Sequence, residues 1–156
     1  MRRCFCDIKN LNSVYYEGKI ENWLNIEFSN FRSNPMYNVA ENFYIKDGSS
    51  DYKILKDIII PSNISTIKQY VFDGFKSVES IYIGDNVLSI ERGAISYCNS
   101  LKSIFIPKSV VKMGGQVFSG TKDIEIYCEA SKKPAGWDEL WCNSGTAKIY
   151  WGATRN

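Results

Sequence analysis

Set in register, the middle of the chain reads LKDIIIPSNISTIKQYVFDGFKS (55–77), VESIYIGDNVLSIERGAISYCNS (78–100) and LKSIFIPKSVVKMGGQVFSGTKD (101–123), three consecutive blocks of 23 residues. A fourth row opens at Ile124 with IEIYCEA, one residue shorter before its strand, and an earlier one is visible as LNSVYYEG from Leu11. Column one holds Leu55, Val78, Leu101 and Ile124; column four holds Ile58, Ile81 and Ile104; column six holds Ile60, Ile83 and Ile106. Apolar residues at alternate positions are the pattern of a strand that buries one face. Pro61, Gly84 and Pro107 then end that strand, since proline cannot donate to a ladder and glycine weakens one. Further along, Ile64 and Ile67, Val87 and Ile90, and Val110 and Met113 form a second apolar pair, which predicts a second short strand. The pairs Val71-Phe72, Ala94-Ile95 and Val117-Phe118 follow, small then large, and predict a helical turn. A unit this short has no core of its own and must stack on its neighbours. The expected fold is mixed α/β but strand-dominated: a solenoid with one short parallel-ladder strand per repeat, a second short strand and a helical turn.

The repeated pattern L-x-x-I-x-I-P-x-x-V-x-x-I-x-x-x-(A/V)-F-x-x-C, held over three rows, resembles the BspA-type, or Treponema pallidum-type, leucine-rich repeats. The segment VYYEGKIENWLNIEF with SNPMYNVAENFYI resembles an insertion found between such repeats, and PAGWDELW with IYWG resembles their C-terminal ending. Where the family prefers glycine after the column-thirteen residue, this chain has Lys68 and Glu91, and only Gly114 conforms. In the turn column the family's cysteine appears once, as Cys98, with Phe75 and Thr121 in the other rows. The resemblance implies a bacterial cell-surface or secreted protein that adheres to other cells or to host and matrix proteins.

One domain is expected over 1–156, divided into a partial repeat (1–16), a helix and hairpin insertion (17–54), three full repeats (55–77, 78–100, 101–123) and a last partial repeat with a Trp-rich cap (124–156). Leu11 in column one puts Phe5 in column eighteen, so the chain starts inside a repeat, as a truncated array or a degenerate cap would. In the insertion, Lys19 to Ile26 reads as a turn or two of helix pinning Trp23, and Asn34-Pro35 as the start of a short helix through Met36 and Val39. Asp47-Gly48 reads as the turn of a hairpin. Pro134 is expected to open a helix whose Trp137 and Trp141 share one face as a lid over the last repeat, or as a grip on a sugar.

Composition excludes much. The 156 residues are 44% hydrophobic and 23% charged, close to globular averages. The net charge of +2 is scattered, with no basic run to follow a phosphate backbone, so no nucleic-acid partner is expected. No apolar stretch approaches the roughly 18 residues of a membrane span. MRRCFCDIKN has Asp7 and Lys9 where the apolar part of a signal peptide should run, which leaves a cytoplasmic location open. Histidine is absent, which removes Ser-His and Cys-His pairs and the HExxH zinc site together. The five cysteines, Cys4, Cys6, Cys98, Cys128 and Cys142, lack the close pairing of a structural zinc site, and Asn63-Ile64-Ser65 is explained by the strand-ending turn without invoking glycosylation. No catalytic residue, metal or cofactor is expected, and the chain reads as no enzyme. Lys56, Glu79, Lys102 and Glu125 alternate in sign from row to row and predict a cross-strand charge ladder.

Column five stands between the buried isoleucines and must point outward. It holds Ile59, Tyr82, Phe105 and, after the one-residue deletion, Tyr127, with Tyr15 in the earlier row. With strands about 4.8 Å apart, four rows make an apolar stripe of roughly 15 Å. Three readings stand: side chains stacking along the sheet, a surface for docking a protein or glycan, or a strip covered by residues 17–54. Protein interaction is the leading function, with glycan binding as an alternative. A scaffold segment that self-associates through an open N-terminal edge is the third.

Overall fold

Wherever a row places isoleucine in columns four and six, the backbone is extended and both side chains are buried. The computed structural model describes residues 11–37 and 40–155. Cys4, Phe5, Cys6 and Val39, on which parts of the sequence reading fall, lie outside the described residues. In chain order the elements are β1 (Ser13–Tyr16), α1 (Ile20–Leu24), β2 (Asn42–Ile45), β3 (Lys53–Ile54), β4 (Asp57–Ile59), β5 (Thr66–Ile67), β6 (Ser80–Tyr82), β7 (Ser89–Ile90), β8 (Ser103–Ile106), β9 (Lys112–Met113), β10 (Glu125–Cys128) and β11 (Lys148–Trp151).

Each row turns through three sides. On the first, β4 runs parallel to β6 with Ile58 opposite Ile81, and β8 runs parallel to β10 with Ile104 opposite Ile126. On the second, β5, β7 and β9 form a parallel ladder through Ile67, Ile90 and Met113. The third side is the predicted helical turn, built from i to i+3 bonds such as Asp73 N–H to Tyr70 O (3.2 Å) and Phe75 N–H to Phe72 O (3.2 Å). Alternate amides there reach the next row instead, as in Phe72 N–H to Ala94 O (3.0 Å) and Ile95 N–H to Val117 O (3.0 Å). The 23-residue solenoid read from the sequence is the fold.

Within 17–54, β2 lies parallel to β1 with Val14 opposite Phe43, as rungs of the array do, and folds back on β3 as the hairpin expected around Asp47 (φ 44°) and Gly48 (φ 84°). The helix expected around Trp23 is α1, and the indole is buried with its N–H donating to Val71 O at 2.8 Å. A strand that the pattern did not single out, β11, extends the first side beyond β10. Its Ile149 and Tyr150 stand 23 residues after Ile126 and Tyr127, opposite those same residues.

Three local expectations are corrected. Pro134 opens no helix: Trp137 forms an isolated bridge to Met113, so the segment follows the course of another row. Both tryptophans are nonetheless buried, rings 4.8 Å apart, with Trp137 Nε1–H donating to Val110 O at 2.9 Å, which is a lid and leaves no exposed indole face for a sugar. Asn34 caps a turn and not a helix: its side chain accepts from Met36 N–H (2.9 Å) and donates to Tyr70 O (2.7 Å), following a 3₁₀ turn at Phe31–Ser33. The charge ladder forms only in part. Lys56 meets Glu79 at 2.8 Å, but Lys102 turns to Asn99 O (3.2 Å) and Glu125 pairs with Lys148 (3.7 Å), because solvated lysine tethers take whichever oxygen is nearest.

The array and the N-terminal segment share an aromatic core. Phe43 packs on Trp23 and Phe75 with centroids 4.7 Å apart in each case, and Phe75 also meets Phe72 at 5.5 Å. Beside it lie a few buried polar groups that bond from row to row: Ser96 Oγ–H donates to Asp73 Oδ1, Thr121 Oγ1–H to Ile95 O (3.0 Å), and Cys98 Sγ–H to Phe72 O (3.2 Å). Burial pushes the Asp73 carboxyl up to about 7 from its ordinary 3.8, against the opposing bond from Ser96.

Phe75 is fully buried between the two parts of the core, so Phe75→Ala is expected to lower unfolding free energy by about 3–5 kcal/mol, read from urea transitions. The folded chain keeps the Asp73 proton up to about pH 7 whereas the unfolded chain releases it near 3.8. The stability that Asp73 contributes is therefore fully present below that lower value and is lost as pH rises through 7, by an amount on the order of 4 kcal/mol. Asp73→Asn, which keeps a partner for Ser96, is expected to flatten that slope in pH-dependent melts.

Candidate functional site: the outward row and its C-terminal clasp

Column five does point outward. Ile59 is 69% exposed and Tyr82 51%, while Phe105 and Tyr127 are half-buried. The covering comes from the C-terminal end. Tyr127 stacks face to face on Tyr150 of β11 (centroids 4.9 Å, planes 13° apart), and its hydroxyl donates to Glu125 Oε2 at 2.8 Å, which with burial raises the phenol's pKa. Tyr15 is 59% exposed and belongs to a separate stack with Tyr44 (4.7 Å, 8°), edged by Tyr52.

Between Tyr82 and Phe105 lies Arg155. Its guanidinium is 4.6 Å from the first ring centroid and 4.7 Å from the second. Nη1–H donates to the Tyr82 hydroxyl at 2.5 Å, Nη2–H to Ile83 O at 2.5 Å, and Asp85 stands 4.0 Å away. The vacancy it fills has a cause in the sequence. Between β8 and β10, the column-seven amide of Glu129 donates to the column-six carbonyl of Ile106 at 3.0 Å. One row earlier column seven is Pro107, which has no N–H to give Ile83 O, and β6 and β8 belong to separate sheets. Arg155 supplies the missing donor, and the planar guanidinium slides between the rings that the unladdered strands carry.

The site is thus a row in which Ile59 and Tyr82 are open and Phe105 and Tyr127 are backed by the C-terminal segment. Its rim is charged, with Lys56 on Glu79 and Ser80 Oγ–H donating to Asp57 Oδ1 at 2.5 Å. Tyr150 and Arg155 were missed in the sequence reading; the spacing from Tyr127 would have found the first, whereas the second is tied to the row only through Pro107. Burial raises all three described cysteine thiols, Cys128 up to about 12, and among the described residues no three Cys, Asp or Glu side chains gather as a metal site. No helix among the described residues is long and apolar enough to cross a membrane.

Residues 43–133 match, in six copies, the family model described as BspA type Leucine rich repeat region. No curated protein and no solved structure matches the chain.

Removing the clasp has a measurable cost. Arg155→Ala is expected to destabilise the chain by about 1–3 kcal/mol in urea melts, and Arg155→Lys by more than half as much, since an ammonium cannot serve both rings and the carbonyl. In a Pro107→Ala background, where an amide again faces Ile83 O, the same Arg155→Ala change should cost less.

Proposed function

We propose, from the fact that the chain belongs to the BspA-type leucine-rich repeat family, that it is a non-enzymatic interaction module that docks a partner protein on the outward row. The observation that carries the reading is the pair Ile59 and Tyr82: large apolar side chains, side by side at the open end of a rigid row, each more than half exposed. A sheet face meant only for water has no use for them, whereas an aliphatic and aromatic pair within a charged rim is the composition of an interface core. Arg155 supports the reading from inside the molecule, since it holds Tyr82 in one orientation and so lowers the entropy lost when a partner covers the ring. The partner segment that fits is apolar, with donors and acceptors at its margin for Lys56, Glu79 and Asp85. The family's surface and adhesion character supports a location outside the cell, at a bacterial surface or secreted.

Protein fragments displayed in a library and selected on the wild-type chain should yield binders that lose at least about tenfold in affinity when Ile59→Asp and Tyr82→Ser are introduced. The same binders should tolerate Leu140→Asp, a change at another exposed apolar residue. Binders indifferent to the row variants would sink the proposal. Polysaccharide binding that depends on Tyr82, with no protein binder, would transfer the row to glycan recognition.

A further inference from the structure

A cavity of about 260 Å³ opens on the third side of the solenoid, away from the outward row, where the Phe31–Tyr37 segment leans over the turns of two rows. Four aromatic rings stand along its walls, each touching the next. Tyr70 meets Phe31 at 6.1 Å, Phe31 meets Tyr37 at 4.7 Å, and Tyr37 meets Tyr97 at 6.3 Å between centroids.

Two of these tyrosines are held where the repeat wants glycine. Column sixteen has positive φ in all three rows: Tyr70 (56°), Gly93 (61°) and Gln116 (62°). Column twenty does too: Gly74 (79°), Tyr97 (55°) and Gly120 (71°). A ring-bearing residue is strained in that region, and such strain gathers at sites that use it. Each ring also lies flat on the glycine of the next row: a Cβ at Gly93 would come within 2.6 Å of Tyr70 Cε1, and one at Gly120 would collide with the Tyr97 ring. Rows 55–77 and 78–100 therefore accept strain, and rows 78–100 and 101–123 forgo a side chain, to lay a pair of tyrosines along this cavity.

The cavity is also lined by Asp73, in column nineteen, where the next rows have Ser96 and Ser119. Asp73 is 1% exposed; Oδ1 accepts from Ser96, and Oδ2 is buried with no partner among the described residues. A buried carboxylate oxygen without a donor is unfavourable and demands an explanation. The nearest cation of the lining, Arg92, is at the exposed rim and directs Nη2–H to Gln116 Oε1 at 2.7 Å.

We infer that this cavity binds a primary ammonium group, of a free amine or of a lysine side chain, with Asp73 Oδ2 accepting a hydrogen bond from its N–H and the rings of Phe31, Tyr37, Tyr70 and Tyr97 around it. The ammonium gives the unpartnered oxygen the charged donor that it lacks, and aromatic faces attract the positive charge that water alone would not bring. The inference stands on a different face from the outward row and does not depend on protein docking there.

The test is a titration in mildly alkaline buffer, where the Asp73 carboxyl is ionised, following tyrosine ring resonances. The probes are butylamine, Nα-acetyl-lysinamide and, as the neutral match, butan-1-ol. Saturable shifts are expected with the ammonium probes, at least about tenfold tighter than with the alcohol. Butylamine alone binding assigns the site to free amines; both binding extends it to lysine side chains. Asp73→Asn should abolish the preference for the amine. Tyr97→Gly, which suits the positive φ and removes a 42% exposed ring, should leave the melting temperature nearly unchanged while weakening the amine several-fold. Amine and alcohol binding alike, no saturable shift with either amine, or undiminished amine binding in both variants would overturn the assignment.

Discussion

Each row of this chain buries its side chains only against the rows beside it, and the rest of the structure answers to that requirement. Isoleucines at columns four and six recur every 23 residues because a rung displaced by one position would turn its apolar face to water. Tryptophans from outside the three full rows pack on the first and the last of them: Trp23 lies on 55–77 and Trp137 on 101–123, each buried and each donating its indole N–H to a valine carbonyl, Val71 O and Val110 O. The ring supplies apolar area, and the N–H satisfies a backbone group that stacking leaves without a donor.

The same requirement explains where regularity lapses. Pro107 ends its strand, as Pro61 does in the row of β4, yet it also silences the amide that should reach Ile83 O. The first side contains a seam between β6 and β8, and the seam is what admits Arg155 between two rings that would otherwise stack on each other as Tyr127 and Tyr150 do. A repeat protein with perfect ladders would have had no place for that side chain.

What the sequence disclosed was whatever the period controls. The buried columns, both strands of each row, the hairpin at Asp47-Gly48 and the outward direction of column five all follow from side-chain spacing and turn chemistry. Features set by a single long-range contact were hidden. Pro134 and Asn34-Pro35 carry helix-start chemistry, but the first segment is drawn into a bridge with Met113 and the second spends its asparagine on Tyr70 O. Lys102 is a charge in the right column whose flexible tether found Asn99 O. The positive φ of columns sixteen and twenty was concealed because two tyrosines and a glutamine occupy positions where glycine would have announced it. Arg155 stands outside every column, so no periodicity could have connected it to Tyr82.

The position of that arginine bears on how the chain would carry a mechanical load. A stack of parallel rungs pulled at its end comes apart one rung at a time, each offering only its own few hydrogen bonds to the force. Here the segment that follows β11 turns back, with Gly152 N–H on Ala130 O and Ala153 N–H on Cys128 O (2.9 Å each), and anchors at Tyr82 and Ile83, three strands inward. A pull on Arg155 therefore loads β6 through its side chain as well as β11 through the backbone, and the rungs between them lie in a loop that the clasp closes.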